Sequence, residues 1–132
     1  MNAPLEENNV ALSKRLGKDK SVLNAMTVDV EDYFQVSAFE GSIRREDWDI
    51  LPRRVEENTR RILDLFAEHQ VHATFFVLGW IAERYPILIR TIFNEGHEIS
   101  SHGYNHVQII HQSKNDFQNE TDFDNEPNTF IL

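Results

Sequence analysis

Val71-His72-Ala73-Thr74-Phe75-Phe76-Val77-Leu78-Gly79 is the stretch on which the reading of the fold turns. It is short, almost wholly apolar, rich in β-branched and aromatic residues, and closed by a glycine. Such a run predicts a buried strand. On both sides of it the apolar period changes. Upstream, Pro52 opens a helical segment in which Val55, Ile62, Leu63 and Phe66 recur at helical spacing, so one face is core. Glu56 and Glu57 near its start and His69 near its end follow the charge order that a helix dipole favours. Arg53, Arg54, Arg60 and Arg61 belong mostly to its solvated face. Downstream, Trp80 to Tyr85 and Pro86 to Asn94 read as helical, with Pro86 suited to a first turn and Gly96 to a helix stop. His97 to Ser101 is a further short strand.

Further upstream, Val22 to Val30 reads as another buried strand and ends among three acids, Asp29, Glu31 and Asp32. The connection Tyr33 to Leu51 that follows is long, and long βα loops are often functional. The order β, loop, α, β, α, β predicts an α/β fold with a parallel sheet and right-handed crossovers. Sites in such folds gather at the carboxyl ends of the strands. The acids and His102 stand at two such ends, so they are expected on one rim of the sheet although 70 positions separate Asp32 from His102.

His102 and His106 stand four positions apart. If the segment between them is helical they share a face, and two neutral imidazoles so placed can hold one metal ion. Two histidines and a carboxylate leave a metal with open positions, the pattern of catalytic sites that keep a water. A carboxylate outside the ligand set can then act as a general base. His69, His72, His97 and His111 are read as non-ligands, His97 as structural at the start of its strand.

Composition narrows the alternatives. The 132 residues suit one domain; the hydrophobic fraction is 40% and the net charge is −9, which disfavours a nucleic-acid partner. With no cysteine, disulfide scaffolds and thiolate metal sites are excluded. No stretch is apolar for long enough to span a membrane. Met1 to Lys20 lacks the apolar core of a signal peptide, so a soluble cytoplasmic chain is expected. A receiver domain of similar length would need an acceptor Asp after its third strand, where Ser101-His102 stand instead.

Three ordered blocks resemble one known family. Thr27-Val28-Asp29-Val30-Glu31-Asp32-Tyr33-Phe34, Ala73-Thr74-Phe75-Phe76-Val77-Leu78-Gly79 and Glu95 through His106 are similar to polysaccharide deacetylases with a NodB homology domain (carbohydrate esterase family 4). The run Asp29 to Val36 resembles the subgroup associated with exosortase and exopolysaccharide gene clusters. The resemblance implies the amino-terminal portion of a distorted (β/α) barrel. It further implies metal-dependent hydrolysis of the acetamide of N-acetylhexosamine-containing polysaccharide, with zinc as the usual metal. It makes Asp29 the catalytic base and His102 and His106 metal ligands. Most members carry two adjacent Asp residues, but Val30 follows Asp29 here. Some relatives carry Asp-x-Asp, and residues two apart on a strand point the same way. The third ligand is therefore Glu31, with Asp32 as the alternative.

The resemblance covers about Asn24 to Glu120. The expected division is a flexible leader over 1–21, with a helical turn around Val10 to Leu16, a partial deacetylase domain over 22–120, and a non-family tail over 121–132. Pro127 and the neighbouring Asn and Asp residues break a helical period in that tail. The family's later Arg-containing motif and general-acid His have no counterpart, so a truncated product is expected, with an open sheet edge, marginal stability and doubtful turnover. The alternative is a non-catalytic metal- or sugar-binding remnant.

Overall fold

The computed structural model describes residues 24–124, with side chains described through 120. The expected leader with its turn, and residues 125–132, lie outside the described residues. Three strands, β1 (Thr27–Val30), β2 (Thr74–Val77) and β3 (Glu98–Ser101), form a parallel sheet in the order β1-β2-β3. Four α-helices accompany it: α1 (Val55–His69), α2 (Gly79–Arg84), α3 (Pro86–Asn94) and α4 (Lys114–Asp124). The register runs Thr27↔Thr74↔Glu98 at one end to Val30↔Val77↔Ser101 at the other. The predicted alternation of elements and parallel pairing are both found.

The sheet differs from expectation in its exposure. Phe75 and Val77 of β2 and Val30 of β1 are buried, and they pack with Leu63 and Phe66 of α1 and Leu88, Ile89 and Ile92 of α3. Residues of the other parity, Thr27, Asp29, Thr74, Phe76, Glu98 and Ser100, remain exposed or half-buried. β1 was expected as a buried strand, yet Val30 is its single buried residue. The reason is that helices cover one face of the sheet, so side chains that alternate across the pleat meet either core or open surface.

Helix α1 starts at Val55 rather than Pro52, and Asp32 explains the offset. Its Oδ2 accepts hydrogen bonds from the N–H groups of Arg54 at 2.7 Å and Val55 at 3.0 Å, and its Oδ1 accepts from Tyr33 N–H at 2.9 Å. Gln35 Oε1 accepts in turn from Asp32 N–H at 2.8 Å. A carboxylate placed on the first free N–H groups of a helix satisfies them and complements its dipole. Glu56–Arg60 and Glu57–Arg61 then pair one turn apart on the exposed face.

The long loop is an ordered layer of three 3₁₀ turns, Tyr33–Gln35, Ser37–Phe39 and Arg45–Asp47. Phe34, Trp48 and Trp80 meet with ring centroids 5.7–6.0 Å apart, which fastens this loop to α2. The guanidinium groups of Arg84 and Arg53 lie 3.9 and 5.3 Å from the Trp80 ring centroid, so two arginines serve the aromatic cluster as well as solvent. Gly96 has φ +85°, and its N–H donates to Phe93 O at 2.9 Å, the left-handed stop the sequence predicts after α3. At the other end of the chain, α4 runs on to Asp124, past the point where the helical period was expected to fail. No helix among the described residues is long and apolar enough to cross a membrane.

His97 is structural, as the sequence suggests. It is 6% exposed, its Nδ1 accepts the Ala73 N–H at 3.2 Å, and its ring packs 4.9 Å from Phe75. Burial holds its imidazole below the ordinary value, against a smaller raising effect from Glu95 and with a further lowering one from His72. The unfolded chain therefore takes up this proton first as pH falls. The His97 contribution to stability should be complete above the ordinary value of 6.5 and decline as pH falls below it toward the lowered folded value. Urea unfolding across that range should show this decline in the wild type and a flatter profile in His97→Gln.

Candidate metal centre

Two strands deliver the candidate residues to one rim. Glu31 is the first residue past β1 and His102 the first past β3. The His102 N–H donates to Val77 O at 2.9 Å, so the sheet ladder fixes its place. By strand parity Asp29, Phe76 and Ser100 form one row of the open face, and Glu31 and His102 begin the next. The Phe76 and His102 rings stand 6.5 Å apart on that face.

Glu31, His102 and His106 converge. Each offers a ligand atom, and the three atoms lie within 4.8 Å of one another. The two imidazole rings are 5.0 Å apart, and His106 Nε2 is 3.3 Å from Glu31 Oε2. Glu31 Oε2 and His106 Nδ1 are buried with no hydrogen-bond partner. Leaving the carboxylate oxygen so is costly, and a cation bound by it removes that cost; a cation at His106 Nε2, the nitrogen that faces Glu31, leaves Nδ1 as it is. Two imidazoles and one carboxylate suit a divalent ion of the zinc class and leave a tetrahedral ion one open position.

The segment that carries the histidines is not helical. Between β3 and the 3₁₀ turn Ile109–His111 the chain is irregular, and His106 has φ +57°. The helical spacing that suggested a shared face is thus not how the pair is brought together. Three successive carbonyls are held from outside instead. Gly79 N–H donates to Gly103 O at 2.9 Å, Trp80 N–H to Tyr104 O at 3.2 Å, and Arg45 Nη1 to Asn105 O at 2.5 Å. The first two donors are free N–H groups at the start of α2, which need acceptors in any case. The Tyr104 hydroxyl donates to Glu83 at 2.8 Å; burial and this carboxylate push the phenol above its ordinary value.

Of the two alternatives for a third ligand, the structure brings Glu31 to the histidines and not Asp32. Asp32 is 2% exposed and its carboxylate is spent on Tyr33, Arg54 and Val55 N–H groups. Asp29 is exposed on the same face as Glu31, outside the three-residue group. His69 ends α1, His111 is exposed in its 3₁₀ turn, and neither they nor His72 and His97 belong to the group. Sequence reasoning missed Arg45, whose role depends on a contact across 60 positions. It read Gly79 as a strand breaker and missed the close approach of Tyr104 there.

The sequence pattern of the family described as polysaccharide deacetylase matches residues 47–127. A peptidoglycan-N-acetylglucosamine deacetylase of Bacillus cereus is 41% identical over 64 residues, 48% of this chain and 23% of that protein. A chitooligosaccharide deacetylase of Sinorhizobium fredii is 39% identical over 62 residues, 47% of this chain and 29% of that protein. Among solved structures, the Bc1960 peptidoglycan N-acetylglucosamine deacetylase superimposes with a TM-score of 0.55 at 30% identity, covering 75% of this chain and 36% of that one. The chain thus spans about a quarter of the length of these curated relatives.

A Cβ on Gly79 would meet Tyr104 Cδ2 at 2.5 Å and Tyr104 Cα at 3.3 Å. Gly79→Ala should therefore push the His102–His106 segment away from α2. Urea unfolding should show a loss of ~1–3 kcal/mol, as for other overpacked sites, and zinc titration a weaker site.

Proposed function

The chain belongs to the polysaccharide deacetylase family, and on that premise we propose that it acts in the hydrolysis of the acetamide on N-acetylhexosamine units of a polysaccharide. The observation that carries this reading is the convergence of Glu31, His102 and His106 from two separate segments onto one rim. The relatives named for peptidoglycan N-acetylglucosamine and for chitooligosaccharide share one reacting group, an N-acetyl amide on a sugar ring. The likeness of Asp29 to Val36 to the exopolysaccharide-associated subgroup favours an exopolysaccharide as the polymer.

In this reading Glu31, His102 and His106 hold a divalent cation, with zinc the first candidate. When bound, such an ion polarises the amide carbonyl and lowers the pKa of a water. Asp29, one strand row behind Glu31, accepts the proton of the attacking water at its carboxylate. Water oxygen adds to the carbonyl carbon, the C–N bond breaks, acetate departs, and the proton taken up by Asp29 passes to the amine nitrogen. Arg45, Gly79 and Trp80 hold the loop carbonyls so that His106 keeps its place opposite Glu31. Fixing ligands from behind in this way commonly changes metal affinity by ~10–100-fold.

The full chain, incubated with zinc and an N-acetylated chitooligosaccharide, should release acetate. Asp29→Asn should lower that release by ~10²–10⁴-fold, the range for loss of a general base, and leave zinc affinity within a few-fold. Stoichiometric zinc binding with no acetate release would favour a non-catalytic metal-binding role. Loss of zinc binding in Asp29→Asn would place that carboxylate among the ligands and overturn its assignment as base.

A further inference from the structure

Tyr104 lies midway between the two imidazoles in sequence, and α2 holds it in three places. Trp80 N–H donates to its carbonyl at 3.2 Å. Its ring lies against Gly79, so closely that a Cβ there would meet Cδ2 at 2.5 Å and Cγ at 3.3 Å. Its hydroxyl donates to Glu83 Oε2 at 2.8 Å, about one helical turn beyond Gly79. The first two contacts need the α2 backbone and a residue without Cβ. The third needs two side chains, Tyr104 and Glu83, to which the metal chemistry assigns no part.

Glu83 is itself held. The same Oε2 accepts from Arg84 Nη1 at 3.0 Å. The Arg84 guanidinium lies 3.9 Å from the Trp80 ring centroid, donates to Trp80 O at 3.3 Å, and donates twice to Asp49 Oδ1, at 3.1 and 3.2 Å. A planar guanidinium stacked on an indole and bonded on several sides has little freedom to turn. Glu83 Oε2 therefore offers the phenol a fixed seat. Asp49 belongs to the long loop that leaves the sheet beside Glu31, so the seat is tied to that side of the centre as well.

The segment needs such a hold. His106 has φ +57°, a conformation that residues with a side chain rarely adopt. His102 is fixed by the sheet ladder, but no regular structure continues from β3 to His106. An anchor at the midpoint limits how the peptide planes on either side can turn, and with them the place of the His106 ring.

We propose that Tyr104 is a positioning residue for the metal centre: its hydroxyl, seated on Glu83, keeps the His102–His106 segment in the arrangement that receives an ion before any ion is bound. The Glu83 side chain is 51% exposed, so this bond adds little to the stability of the whole fold, and its effect is local. The consequence for metal affinity rests on the reading of Glu31, His102 and His106 as ligands. The ordering of the segment does not, and the two fail separately.

Two measurements on the full chain test this. The first is amide hydrogen exchange of the metal-free protein by NMR. Tyr104→Phe keeps the ring and removes the hydroxyl. Protection of the Gly79 and Trp80 N–H groups, which donate to Gly103 O and Tyr104 O, should fall about fivefold or more, while that of His102 N–H, bonded across the sheet to Val77 O, stays within about twofold. The second is zinc affinity by competition with a chromophoric chelator. Tyr104→Phe should weaken it about three- to tenfold, less than the ~10–100-fold typical of groups bonded directly to a ligand. Glu83→Ala should match Tyr104→Phe in both measurements. Glu83→Gln, whose amide oxygen still accepts, should stay within about twofold of wild type. The proposal is overturned if Tyr104→Phe leaves Gly79 and Trp80 exchange or zinc affinity unchanged, if protection at His102 falls equally, or if Glu83→Gln behaves as Glu83→Ala. Absence of zinc binding in the wild type, with the exchange results as expected, would count against the metal reading alone.

Discussion

The carboxylate of Asp32, buried between the end of β1 and the first N–H groups of α1, joins two parts of the chain that the sequence separates by more than twenty positions. Hydrogen bonds to a charged group are each worth ~1.5–3 kcal/mol, and this carboxylate accepts three from backbone N–H groups. They fix where α1 begins, how the long loop leaves the sheet, and therefore where Phe34 and Trp48 meet Trp80. They also fix Glu31. Adjacent residues at the end of a strand point to opposite sides; once Asp32 is turned into the protein, Glu31 is left to the open rim where the histidines stand.

The histidine segment is held by a comparable device at the other side of the sheet. Its backbone follows no regular pattern, and the Gly103 N–H to Ser101 Oγ contact at 3.1 Å is a local hydrogen bond within it. The N–H groups that α2 leaves unpaired, together with Arg45, supply three donors to three consecutive carbonyls. The guanidinium of Arg45 also lies 5.1 Å from the centroid of the Trp48 ring, within the aromatic cluster that Asp32 helps to place. The carboxylate and the imidazoles of the centre are thus both oriented through the long loop, one by its first residues and the other by its middle.

This explains what could be read from sequence and what could not. The order of strands and helices followed from apolar period and from Gly79, Pro86 and Gly96, which are local signals. The meeting of Glu31 with His102 on one rim followed from a topological rule that needs no side-chain detail. The route from His102 to His106 did not, because four-residue spacing fits a helical turn and a clamped loop equally well. Strand parity already favoured Glu31 over Asp32; what the sequence could not show is that Asp32 is taken up by the N–H groups of Arg54 and Val55 far along the chain. The exposure of Thr27 and Asp29 was also missed, since a short apolar run does not say whether one face of its sheet or both will be covered.

The central claim is that Glu31, not Asp32, completes a metal centre with His102 and His106. Zinc K-edge X-ray absorption on the zinc-loaded chain and on its Glu31→Gln variant tests it directly. The account predicts two imidazole nitrogens at ~2.0–2.1 Å and a carboxylate oxygen at ~2.0–2.2 Å in the wild type. In the variant the carboxylate oxygen should be lost and the imidazole scattering kept or weakened. An unchanged first shell in Glu31→Gln, or a wild-type shell without imidazole scattering, would contradict it.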